Sequence, residues 1–247
     1  MLISMNGVPE RIRTSDLRFR KPLLYPAELR GRGGAFNSFG RARQPPKVAG
    51  MTDQPTGAWT LLSSTYSFRD RWLTLRSDTV ALPGGEILSP YHVIESPDWV
   101  NAIALTDEGN VILVEQYRHA VQQTMLELPA GNVDADETPE AAVKRELLEE
   151  TGYESTRWHD LGAMFPAASR LDNKVHSYLA LGVRQVREPV SGGSEVLQVR
   201  SMPWETFVAG LYSGSMVLRE AAQFASIFLL HLYAKTSSDP AIAKLRV

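Results

Sequence analysis

The segment Gly131–Tyr153, GNVDADETPEAAVKRELLEETGY, constrains this chain more than any other. Thr138 is a good helix N-cap, Pro139 suits the first helical position, and Glu140 complements the positive end of the helix dipole. Gly152 suits the position just past the helix, where the backbone turns left-handed. These signals predict a helix from about Thr138 to Thr151. At about 100° per residue, Glu146, Glu149 and Glu150 share one face, three and four residues apart. Three clustered carboxylates repel one another, weakly when solvated and more strongly when partly buried. A divalent cation turns that repulsion into binding. Hard oxygen donors suit Mg²⁺, with Mn²⁺ as the alternative, rather than Zn²⁺. A metal ion so held takes up phosphate oxygens, orients a diphosphate and activates water. Taken alone, the glutamates also fit a solvated acidic helix face.

The surrounding pattern is mostly strand. Trp59–Phe68, Trp72–Leu82 and Ile87–Ile94 alternate apolar and polar residues, with Leu82-Pro-Gly-Gly85 as a turn. They predict a small antiparallel sheet over residues 58–98. Val100–Leu105 and Val111–Gln116 predict a second hairpin, and Leu126–Pro129 leads into Gly131. Further strands are expected near Arg157–Met164, His176–Val183 and Val196–Pro203. Helices are expected at about Trp204–Tyr212 and Leu218–Ala234. This mixture points to an α+β or layered α/β/α fold over residues 99–236, rather than a doubly wound parallel sheet. Residues 237–247 read as a C-terminal tail.

Charge is unevenly spread. Residues 1–50 hold ten Lys/Arg and three Asp/Glu, a net of +7, and the rest hold sixteen and twenty-five, a net of −9. The acidic part argues against nucleic acid as a partner. Residues 1–57 lack periodicity and read as a disordered basic tail. The stretch ERIRTSDLRFRKPLLYPAELRG resembles peptides obtained when a transfer-RNA gene is read as protein, which implies Met51 as the start. The apolar run 221–234 is too short to span a bilayer and contains Gln223 and His231, so no membrane is expected. The absence of cysteine excludes disulfides and thiolate chemistry and suits the cytoplasm.

The segment 131–153 resembles the Nudix box of the Nudix hydrolase superfamily. Gly131, Glu137, Arg145, Glu146, Leu147, Glu149, Glu150, Gly152 and Tyr153 fill its nine positions, Tyr153 being a looser match. The resemblance implies a Nudix-type α/β/α sandwich with a mixed sheet and metal-dependent hydrolysis of a diphosphate. It implies Glu146 and Glu150 as metal ligands, together with the Ala130 carbonyl, and Glu149 as a further ligand or orienter. Arg145 would pair with a carboxylate such as Glu137, while Gly131 allows a tight turn.

Upstream, EQYR and ELPAG within residues 115–131 resemble the ADP-ribose and ADP-sugar pyrophosphatase branch. That resemblance implies Arg118 as a contact to substrate phosphate or ribose; a surface ion pair with Glu115 or Glu127 is its alternative. Glu127 is either that arginine's partner or a substrate contact. Pro166 lies fourteen residues after Gly152, where the branch has Ser-Pro-Gly; here the residues are Phe165-Pro166-Ala167. Arg170, Asp172, Asn173 and His176 are further candidates in that region. In this branch the general base lies on a late loop, which points to Glu195, with Glu188 as competitor. The leading strands also resemble this branch, and that resemblance implies a homodimer, with Phe68, Trp72, Tyr91 and Trp99 as candidate stacking or interface aromatics. The expected substrate is ADP-ribose or an ADP-sugar. GDP-mannose or another nucleotide sugar is the alternative, and a non-catalytic nucleotide sensor is a third reading.

Overall fold

The computed structural model describes residues 57–190 and 196–246. The basic segment up to residue 56 and the candidate base Glu195 lie outside the described residues.

Strands β1 (Thr60–Arg69), β2 (Thr74–Ala81) and β3 (Ile87–Glu95) form the expected antiparallel sheet, in the order β1-β2-β3. The turn between β2 and β3 closes with the Gly85 N–H donating to the Leu82 carbonyl at 2.9 Å. Along β1 every residue is exposed, and Leu61, Leu62, Tyr66 and Phe68 leave large apolar surface uncovered. The buried Asp78 is held by Arg76, whose guanidinium also reaches Glu95.

The second sheet is mixed. It comprises β4 (Trp99–Leu105), β5 (Asn110–Arg118), β6 (Gln123–Glu127), β7 (Ala130–Asn132), β9 (Arg157–Met164), β10 (Val175–Leu181) and β12 (Leu197–Pro203). β10 runs parallel to β4, and all other pairings are antiparallel. β4 and β5 pair directly only at Ala104–Ile112 and Leu105–Val111. Beyond that point the two diverge, and β6 and β7 fill the opening, β6 on β5 and β7 on β4. β8 (Tyr153–Glu154) and β11 (Arg184–Gln185) make a small separate ladder.

Helix α1 (Pro139–Thr151) covers one face of this sheet. Its Ala142, Val143 and Leu147 pack on Val100, Ala102, Ala104, Ile112 and Ala180. On the opposite face α2 (Trp204–Ser213), α3 (Ala221–Thr236) and α4 (Pro240–Ala243) bury Phe207, Leu230 and Ile242 against Ile103, Leu105, Leu113 and Leu179. Full burial of each such apolar side chain is worth about 1.5–3 kcal/mol. The result is the α/β/α sandwich expected from the sequence, with the small antiparallel sheet before it.

Two local expectations differ. The segment 237–247, read as a tail, contains α4 and buries Ile242 and Leu245 in the main core. Too short for a periodic signal, it is recruited by tertiary packing. α3 starts at Ala221 rather than Leu218, because the Glu220 carboxylate caps it by accepting the Gln223 N–H at 3.0 Å. Among the described residues no helix is long and apolar enough to cross a membrane.

Candidate active site

The caps anticipated for α1 are present. Thr138 Oγ1 accepts the Ala141 N–H at 3.2 Å. Gly152 has φ +76°, and its N–H donates to the Leu148 carbonyl at 3.0 Å. A side chain there would be strained and would also strike the Arg187 carbonyl, 2.0 Å from an added Cβ.

Strand β7 brings the backbone of Ala130 and Gly131 against α1. A Cβ at Gly131 would lie 2.1 Å from the Glu146 carboxyl carbon, so any larger residue would displace the carboxylate from this backbone. The Ala130 N–H donates to Glu150 Oε2 at 2.9 Å. Glu150 is only 8% exposed, so its charge is held in a largely dry setting by a backbone donor.

Arg145 ties the preceding loop to the helix. Its Nε and Nη2 reach the two oxygens of Glu137 at 3.1 and 2.9 Å, and Nη2 also donates to the Asn132 carbonyl at 2.9 Å. Nη1 donates to Glu146 Oε1 at 2.7 Å and lies 3.4 Å from Glu149 Oε2. These hydrogen bonds raise the arginine's pKa and hold the Glu137 carboxyl below the usual carboxylate range. Arg145 therefore spaces two of the three glutamates and latches the loop at once. Among the described residues no three acidic or histidine side chains converge on one point. Donor chemistry nonetheless fits a hard divalent cation. The candidate donors are carboxylates, with the Ala130 N–H on Glu150 and Arg145 on Glu146, and the sequence holds no cysteine to compete.

The structure places Arg118 beside one of the two carboxylates considered for it. It forms a forked pair with Glu127, Nε to Oε1 at 2.8 Å and Nη2 to Oε2 at 2.5 Å, while Glu115 pairs with Arg200. Glu127 is 1% exposed, and both its carboxylate oxygens are turned to the Arg118 guanidinium. The Arg118 side chain remains 42% exposed. Pro166 lies in the connection from β9 to β10, which is held by β3: the Ile94 N–H donates to the Arg170 carbonyl at 2.8 Å, and the Tyr91 hydroxyl donates to the Ser169 carbonyl at 2.7 Å. His176 pairs with Asp98 at 3.0 Å, and Asn173 donates to the Pro97 carbonyl, so both brace the start of β4. Of the four candidate aromatics, Tyr91 packs edge-on against Trp59, 5.5 Å between ring centres, and Trp99 pairs in β4 with Asn132 and Val175. Glu188 is exposed, and the nearby Val190 N–H donates to the Glu149 carbonyl at 2.8 Å. The chain thus enters the segment that contains Glu195 from the carboxyl end of α1. Gln223 escaped sequence reasoning, except as a reason against a membrane span; its only signal was a polar amide within an apolar helix.

A mixed sheet between helices, with a glycine turn seated on an acid-lined helix, defines a Nudix-type domain. Residues 97–220, just over half of the chain, match the family described as NUDIX domain, and the chain belongs to that family. Residues 59–94 match the family described as nucleoside diphosphate sugar hydrolase N-terminal domain. The chain is 40% identical to the ADP-ribose pyrophosphatase of Mycobacterium tuberculosis over 116 residues, 47% of this chain and 56% of that relative. The similarity thus spans little more than half of that relative's length. It is 29% identical to the GDP-mannose pyrophosphatase of Klebsiella pneumoniae over 147 residues, 55% of this chain and 74% of that protein. A solved structure described as an ADP compounds hydrolase shares the fold, with a TM-score of 0.60 at 22% identity, covering 72% of this chain and 94% of that one.

Proposed function

We propose that this chain hydrolyses the diphosphate of a nucleoside diphosphate sugar, ADP-ribose or an ADP-sugar first, to a nucleoside monophosphate and a sugar phosphate. One observation carries the reading: Ala130 and Gly131 are latched onto Glu150 and Glu146 beneath a complete, capped box helix. Glu146 and Glu150 would hold Mg²⁺, or Mn²⁺, with Glu149 and the Ala130 carbonyl as further donors. When bound, such a cation neutralises diphosphate charge and lowers the pKa of a bound water. Arg145 keeps Glu146 and Glu149 in register, and the Arg118 fork, oriented by Glu127, meets a substrate phosphate or ribose. Water attacks one phosphorus, the bridging P–O bond breaks, and a carboxylate takes the proton. Glu195 is the candidate base, because its segment departs from Val190, which is bonded to Glu149.

GDP-mannose stays as a second substrate reading, favoured by Phe165-Pro166-Ala167 where ADP-ribose enzymes of the branch carry Ser-Pro-Gly. A non-catalytic sensor is disfavoured because every box glutamate is retained. A homodimer fits the uncovered apolar residues of β1, and the cytoplasm fits the lack of cysteine. Formation of nucleoside monophosphate from ADP-ribose, ADP-glucose, GDP-mannose and NADH, each with Mg²⁺ and Mn²⁺, tests the substrate class. Glu150→Gln is expected to lower turnover by roughly two orders of magnitude or more while the fold persists. A folded, fully active variant would remove Glu150 from the metal site; no hydrolysis of any of the four by the wild type would remove the reaction.

A further inference from the structure

We infer that Gln223, on α3 and beyond the stretch matched by the Nudix family, is a positioning residue that fixes both the strand beneath the box glutamates and the Arg118 fork. The second half of this inference rests on the reading of Arg118 as a substrate contact.

The place it occupies has a special need. β6 ends at Glu127 and β7 begins at Ala130, at the opening where β4 and β5 diverge. Between them the backbone offers the Leu128 N–H, outside both ladders, while Pro129 has none to offer. Leu128 is fully buried, and a buried N–H left without a partner is costly. Gln223 Oε1 accepts that N–H at 2.6 Å. Gln223 is itself 4% exposed, so this amide is built into the core. Its Nε2 faces Glu127 Oε2 at 3.5 Å, the oxygen that also receives Arg118 Nη2. One side chain from the opposite layer therefore supports the segment Glu127–Asn132 at two adjacent points. Downstream of that support are the Ala130 N–H on Glu150 and the Gly131 seat of Glu146. Alongside it is the Glu127 carboxylate that orients Arg118.

An amide suits this place because it accepts on one atom and donates on the other. Glutamate in its place keeps the acceptor for Leu128 but sets a second carboxylate against Glu127, which weakens the alignment of Arg118. Leucine keeps the bulk and loses both contacts.

The test compares wild type, Gln223→Glu and Gln223→Leu for hydrogen exchange at the Leu128 amide and for steady-state hydrolysis of ADP-ribose with Mg²⁺. Thermal unfolding checks that each variant is folded. Exchange at Leu128 is expected to accelerate in Gln223→Leu and to stay slow in Gln223→Glu; equal exchange in all three overturns the backbone support. Gln223→Glu is expected to raise KM about tenfold with kcat little changed, the size of one charge-assisted hydrogen bond. Its effect should vanish in an Arg118→Ala background, as coupled residues require. A folded Gln223→Glu with wild-type KM, or with an effect additive to Arg118→Ala, overturns the link to Arg118. If wild type hydrolyses no nucleotide sugar, the substrate reading fails, and the exchange experiment still decides the support of Leu128.

Discussion

Gly131 and Glu146 give the sharpest residue-scale statement, because one absent Cβ makes room for one carboxylate. An added methyl group would sit 2.1 Å from the carboxyl carbon, so the strand or the glutamate must move. Misplacement of a reacting group by about 1 Å can cost about a hundredfold in rate. Gly131→Ala is therefore expected to lose about a hundredfold in kcat for the preferred nucleotide sugar while remaining folded by circular dichroism. Activity within twofold of wild type would show that the contact is not needed. Glu127 teaches the complementary point. Its identity was legible in ELPAG, but its burial and its pairing with Arg118 were not, because both depend on packing across the sheet.

At the scale of elements, the loop 132–137 and helix α1 act as one unit through Arg145. The Glu137 carboxyl is held below its ordinary value of 4.5 by that arginine. The unfolded chain therefore binds this proton at higher pH than the folded chain does. The pairing contributes stability above about 4.5 and loses it as pH falls through the lower, folded value. Glu137→Gln is expected to lower stability at neutral pH by about 2 kcal/mol, and the gap to wild type should close below pH 4.5. Thermal unfolding across pH measures this, and a gap that widens in acid would refute the ion pair as its source. The helix and its caps were legible because Thr138, Pro139 and Gly152 act within a few residues of chain. The short strands β7, β8 and β11 were not, since two or three residues carry no period and exist only through their partners.

Across the whole molecule, β1 stands out for the apolar side chains it leaves uncovered. Leu61, Leu62, Tyr66 and Phe68 lie on one ten-residue strand whose every residue is exposed. Exposed apolar side chains grouped on one strand suit the homodimer proposed above. Sedimentation velocity is expected to give a dimer for wild type and a monomer for the double variant Leu62→Glu, Phe68→Glu; a monomeric wild type would remove the homodimer.

Local chemistry decided what the sequence could determine by itself. Cap residues, alternation along strands and the spacing of Glu146, Glu149 and Glu150 act over one or two turns of chain and so identify the helix and its acidic face, while the reaction class came from the resemblance of residues 131–153 to the Nudix box. What needed the tertiary structure was every relation across the sheet. The diverging β4 and β5 create the opening that β6 and β7 fill, and α3 reaches it from the other side. The latch of Ala130 on Glu150, the burial of Glu127 and the support from Gln223 depend on residues 20, 9 and 95 positions apart. Spacing along the chain says nothing of such contacts, because packing of the layers alone brings them together.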